Sequence, residues 1–153
     1  AKGLGGGFPM GACLAVEKFA AVMVPGTHAT TFGGNPLAMA VANAVLDVVL
    51  EDKFLDHVNQ ISTRFQQNLA EYLECYPDLF VEIRGEGLLL GLVCKIPNTQ
   101  VVTALRDAAV LVVPAGDNVV RLLPPLIVDE DDLSEAHQRM TKAFTLLSGK
   151  QAS

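Results

Sequence analysis

From position 35 onward the chain sets apolar against polar positions in two distinct periods. After Asn35-Pro36, the residues Leu37, Val41, Ala44, Val45, Val48 and Val49 recur at steps of three and four, which predicts a helix. Asn35 can cap the free amides of its first turn, and Pro36 suits the first helical position. The next segment carries Phe54, Val58, Ile61, Phe65, Leu69, Tyr72 and Tyr76 at the same spacing. That is one apolar stripe with a polar face opposite, ending at Pro77. Beyond it the period shortens. Residues 79–83 and 88–95 predict strands around a turn at 84–87. A helix capped by Asn98 is expected over 98–109, then a buried strand over 110–114, a turn at 115–118 and a strand over 119–125. The final element, 129–147, opens with four acids that complement the helix dipole. Leu133, Ala136, Met140, Phe144 and Leu147 line its inner face.

The first 34 residues follow no such period. Two loops dense in glycine and turn residues, AKGLGGGFPMGA (1–12) and PGTHATTFGGNPLA (25–38), flank an apolar stretch at 11–24 that predicts a strand followed by a short helix. The boundary is drawn near residue 50, between this loop-rich segment and a compact α/β unit.

Composition narrows the class. Of 153 residues half are hydrophobic and 18% charged, and the mean hydropathy is +0.35. So apolar a chain either buries a deep core or packs part of its surface on something else. No apolar run reaches the roughly 18 residues of a membrane span, and nothing at the start resembles a secretory signal. A net charge of −6 with no basic cluster argues against nucleic acid. Cys13, Cys75 and Cys94 are odd in number and lack CxxC spacing, so neither a disulfide framework nor a zinc site is indicated. All three are expected to be reduced core residues of a cytoplasmic protein.

The chemistry lies in the loops and one strand. GLGGGF lacks the third glycine of a dinucleotide fingerprint, and Lys2 precedes the glycines, which excludes a Walker-type cradle. Lys2 is either a solvated charge at a flexible turn or an amine nucleophile. Thr27, Thr30 and Thr31 stand among glycines before the capped helix, and either bond their own backbone or receive a phosphate ester. His28 is expected to be structural, and His57 and His137 solvated. Alternation puts Val119, Arg121 and Leu123 on one strand face, with Val120 and Leu122 on the other. Arg121 is then an edge charge or a guanidinium held to grip a carboxylate.

Taken together, AKGLGGGFPMGA, PGTHATTFGGNPLA, RGEGLLLG (84–91) and VVRLLPPLIV (119–128) resemble, in this order, the class III (ω-amino acid) aminotransferases that use pyridoxal 5'-phosphate. The resemblance runs along essentially the whole chain. It implies an α/β fold, the C-terminal part of a fold-type I pyridoxal-phosphate transferase. Residues 1–50 would be the end of the cofactor-binding large domain and the start of a linking helix, and 51–153 the small α/β domain. By the resemblance Lys2 is the catalytic residue: it binds the cofactor aldehyde covalently and carries the proton between substrate carbon and cofactor. Thr31 binds the cofactor phosphate in the neighbouring subunit's pocket, Thr30 touches substrate there, and Arg121 holds the substrate α-carboxylate. No metal is implied. The activity implied is amino transfer between N-acetylornithine and 2-oxoglutarate, in a cytoplasmic homodimer with shared active sites. Ornithine, succinylornithine or 4-aminobutyrate are alternative donors. Chains of the family are much longer, and the aspartate on the pyridine nitrogen, the ring-stacking aromatic and the first phosphate loop fall outside these residues. The 153 residues alone are therefore expected to be inactive, the alternative role being that of a folded association module.

Overall fold

The computed structural model describes residues 1–149. It divides into two compact units, the second beginning at Asp56. The first opens with a short 3-10 turn over Lys2–Gly5, followed by α1 (Glu17–Ala20) and α2 (Pro36–Val49). The helix α3 (Phe54–Cys75) leads into the second unit, which continues with β1 (Phe80–Glu86), β2 (Leu89–Cys94), α4 (Asn98–Asp107), β3 (Val113–Ala115), β4 (Val119–Leu122) and α5 (Glu130–Leu147). Among the described residues no helix is long and apolar enough to cross a membrane.

In the first unit the expected cap forms. The Asn35 side chain accepts from the Ala38 amide at 2.9 Å, with Pro36 at the first helical position. Of the strand and short helix expected over 11–24, the helix forms as α1 but the strand does not: the backbone is extended at Val16, and no sheet pairing involves this segment. A strand needs a neighbour to receive its amides and carbonyls, and residues 1–55 contribute none to the sheet. Leu14 and Phe32 stay 91% and 81% exposed.

The second unit is one antiparallel sheet, ordered β1-β2-β4-β3, covered on one face by helices. The covered face presents Phe80, Leu90, Leu92, Val120 and Leu122, all buried. Against it pack the α3 stripe (Val58, Ile61, Phe65, Leu69, Tyr72), Val101, Val102 and Leu105 of α4, and Leu133, Met140 and Phe144 of α5. Phe144 is the hub of an aromatic cluster, with its ring centroid 4.9 Å from Tyr72, 5.8 Å from Tyr76 and 4.8 Å from Phe80. Burial pushes the Tyr72 hydroxyl and the Cys94 thiol up, the latter to about 11. α5 is capped by Asp129, which accepts from the Asp132 amide in a capping box.

Four further expectations are corrected. The turn at 84–87 is shorter: β1 runs through Glu86, which pairs with Leu89, and only Gly87 and Leu88 connect the strands. Residues 110–114 are not a buried strand, for β3 is a three-residue edge with Val113 half exposed. Asn98 does not cap α4. It lies inside the helix and donates to the carbonyls of Ala115 and Val119, while the Asn118 side chain accepts its amide at 2.8 Å. Cys13 and Cys75 are exposed and only Cys94 is buried, because Cys13 sits on the uncovered segment and Cys75 on the polar side of the last turn of α3.

Candidate functional site

Lys2 lies in the 3-10 turn with φ 64°, a left-handed backbone, and its side chain is exposed. For a residue with a Cβ this conformation costs ~1–2 kcal/mol, and such outliers gather where a site over-determines the backbone. The glycines after it answer to two demands within the chain. A Cβ on Gly5 would meet the Met10 side chain at 2.9 Å; one on Gly6, itself at φ 53°, would meet Val45 of α2 at 3.0 Å. Glycine at these positions lets the turn sit down on its own helix. Gly3 has no heavy atom within 4 Å of such a Cβ, so space inside the chain does not explain it.

The second loop spends its hydroxyls unequally. Thr27 donates to the Val24 carbonyl at 2.7 Å, the self-bonding expected of a polar loop. Thr30 and Thr31 are exposed, and neither hydroxyl bonds to anything among the described residues. Their backbone is nonetheless fixed: the Gly33 amide donates to the Thr30 carbonyl, and Asn35 Nδ2 to the Phe32 carbonyl. Two hydroxyls are thus held on a closed turn just ahead of α2.

Arg121 belongs to the second unit, on the helix-free face of β4. The expected alternation holds, since Val120 and Leu122 are buried while Arg121 and Leu123 are exposed. Cross-strand register sets Arg121 opposite Gly91 of β2 and Val113 of β3. On the far side of Gly91 stands Arg84 of β1, tied to Glu82 at 2.6 Å. Arg121 has no acidic partner among the described residues, so this face presents one paired and one unpaired guanidinium.

Lys2, Thr30 and Thr31 fall in the first unit and Arg121 in the second. A polar cleft of about 320 Å³ between α3 and α5, lined by Arg64, Asn68, Glu71, Glu130, Asp131 and His137 among others, collects none of these candidates. Of the histidines, His57 is exposed as expected, while His28 and His137 are placed otherwise. His28 is exposed on its loop. His57 is exposed with its ring 3.2 Å from the Val128 carbonyl, and His137 is stacked on Tyr72 with Nδ1 2.9 Å from the phenol oxygen. Reading by residue type gave Glu82, Arg84 and Gly91 no individual role, and their place in one row with Arg121 follows from strand register.

The family described as Aminotransferase class-III matches residues 1–144. The acetylornithine aminotransferase of Mesorhizobium japonicum is 59% identical over 140 residues, covering 92% of this chain and 35% of that protein. That of Agrobacterium fabrum is 53% identical over 152 residues, 99% of this chain and 38% of its own length. Among solved structures, the N-acetylornithine aminotransferase of Stenotrophomonas maltophilia K279a aligns with a TM-score of 0.84 at 31% identity, over 97% of this chain and 39% of that one. The Toxoplasma gondii ornithine aminotransferase, described with partial occupancy of PLP at its active site, gives 0.77 at 34% identity, over 85% and 32%. The chain thus spans 35–38% of the length of these two curated relatives.

Proposed function

This chain belongs to the class-III aminotransferase family, and on that premise we propose that the protein carrying it moves an amino group between N-acetylornithine and 2-oxoglutarate, with pyridoxal 5'-phosphate as cofactor. The observation that carries the reading is identity of 53–59% to acetylornithine aminotransferases over 92–99% of the chain. Ornithine as donor is the second reading, favoured by the likeness to the Toxoplasma gondii enzyme.

The residues present fit such a cofactor. An exposed amine on a strained backbone suits covalent capture of an aldehyde, and unspent hydroxyls on a closed turn suit a phosphate ester. Bound pyridoxal phosphate supplies the electron sink for the charge left when the amino-bearing carbon loses its proton. Lys2 holds the cofactor and, once released, its Nζ moves that proton. Thr31 donates to the phosphate and Thr30 lies against the substrate. Arg121 grips the α-carboxylate in bidentate fashion, which fixes the reacting carbon. Residues 1–50 form the end of the cofactor domain and 51–153 the small domain. The protein is a homodimer in which Thr30 and Thr31 complete the neighbour's pocket.

Subunit mixing tests both the lysine and the sharing. Lys2→Ala should lose the cofactor's visible absorption on desalting and all turnover, and Thr31→Ala should be impaired. A mixed dimer of the two contains one pocket with both residues intact, so partial activity should return after subunit exchange. No recovery would assign Thr31 to its own subunit's pocket. Full turnover by Lys2→Ala would sink the nucleophile assignment.

A further inference from the structure

Gly91 sits in the middle of the helix-free sheet face, paired with Arg121 of β4 on one side and Arg84 of β1 on the other. Backbone conformation is not what demands glycine there, because Gly91 is not among the residues with positive φ. Space is. A Cβ on Gly91 would lie 2.6 Å from Val119 Cγ1, closer than packed carbons approach. Val119 is on β4 two residues before Arg121, hence on the same face. Its β-branched side chain has few rotamers to retreat into. A methyl group at 91 must therefore turn Val119 or spread β2 from β4, and each disturbs the strand on which Arg121 is carried.

We propose that Gly91 is a positioning residue for the substrate carboxylate: bare backbone there lets Val119 lie over β2 and holds Arg121 at its place on the face. The proposal rests on Arg121 as the carboxylate's partner. Electrostatics on the same row favours that choice of partner. The Glu82 carboxylate, 2.6 Å from Arg84, already answers the guanidinium on the other side of Gly91. A carboxylate arriving at this face therefore finds Arg121 unpaired and Arg84 engaged. Gly91 separates the two by a position without a side chain.

The test uses the cofactor-loaded enzyme and glutarate, a five-carbon dicarboxylate with neither amino nor keto group, its binding followed by calorimetry. Gly91→Ala should weaken glutarate about tenfold, in the range expected of one misplaced methyl group, and raise KM for 2-oxoglutarate with it. Cofactor retention should stay near the unmodified value. Adding Val119→Ala, which removes the group the new methyl would strike, should restore binding. A double variant as weak as Gly91→Ala, or a Gly91→Ala enzyme binding glutarate normally, overturns the proposal. If Gly91→Ala does not fold, the double variant is compared with Val119→Ala alone. Equal affinity is expected, and a tenfold loss overturns the mechanism. Arg121→Ala separates the two levels of the argument. If it leaves glutarate binding intact, the reading of Arg121 fails; if it abolishes binding while Gly91→Ala does nothing, only the role of Gly91 fails.

Discussion

The two units of the chain treat their apolar residues in opposite ways. In the second, helix stripes and one sheet face are both supplied by the chain itself, and Leu69, Leu92, Val120 and Phe144 are fully buried. In the first, Leu14, Val16, Phe19, Val22 and Phe32 are at least 64% exposed, although they are no less hydrophobic. Apolar residues make a core only where a facing layer is present to cover them. The first unit instead holds its shape by local devices: the Asn35 cap, the closed turn at Thr30 and the fit of Gly6 on α2. Its polar chemistry is free to point outward for that reason.

Core truncation should break the comparison open most widely. Phe144→Ala removes the hub of the aromatic cluster and should destabilise the chain by about 3–5 kcal/mol. Phe32→Ala, the same chemical change on an 81% exposed side chain, should alter stability by less than ~0.5 kcal/mol. Urea unfolding of the two variants gives the contrast directly. Equal losses would mean that residues 1–55 bury Phe32 in solution.

The next effect in size concerns polar fastening. Asn118 Nδ2 donates to the carbonyls of Cys94 and Ile96, at 2.7 and 2.8 Å, and its Oδ1 accepts the Asn98 amide. Asn98 in return fastens Ala115 and Val119. This reciprocal pair joins the end of β2, the start of α4 and the β3–β4 turn. Asn118→Gly keeps the left-handed backbone, φ 58°, yet removes all three bonds, and should cost about 2–3 kcal/mol. Asn35→Ala removes a single cap bond in the first unit and should cost ~1 kcal/mol. A ratio near one would show that the clasp is not fully made in solution.

How legible each unit was follows from the range of the interactions. The stripe of α3 and the alternation Val120, Arg121, Leu122 could be read because helix and strand periods are properties of neighbouring residues. Asn35 was readable as a cap because its partner is three positions on. Asn98 was misread because the group that satisfies its amide, Asn118, lies twenty positions away across a strand turn. Residues 110–114 carry the composition of a buried strand but stand at a sheet edge, and edge or centre is decided by strand order. Gly91 looked like any strand glycine until register set Val119 over it. At the candidate site, residue chemistry alone left Lys2 and Arg121 each with two readings. What favoured the catalytic ones was the resemblance of whole motifs, since an amine or guanidinium acquires its role from groups that no local pattern specifies.

The smallest expected effect compares two left-handed residues, one in each unit. Ala109 follows α4 at φ 59° and closes it: its own amide donates to the Arg106 carbonyl, and the Val110 amide to that of Leu105. This is the position and bonding at which helices favour glycine. Ala109→Gly relieves the Cβ clash and should raise stability by about 1 kcal/mol, with the bond that the Arg139 guanidinium donates to its carbonyl unaffected because residue 109 contributes only its backbone oxygen. Lys2 has φ 64° and no helix to terminate. Lys2→Gly relieves the same kind of strain, so the chain should be equally stable or slightly more so by thermal unfolding, while the whole protein carrying it loses cofactor retention on desalting. At Ala109, then, the strain is a helix-closing residue's small defect that substitution repairs at no cost in function. At Lys2 the same repair removes the amine on which the proposed chemistry depends. If Lys2→Gly destabilised the chain by more than Phe32→Ala does, the lysine would be holding the turn together, and its left-handed backbone would have a structural cause.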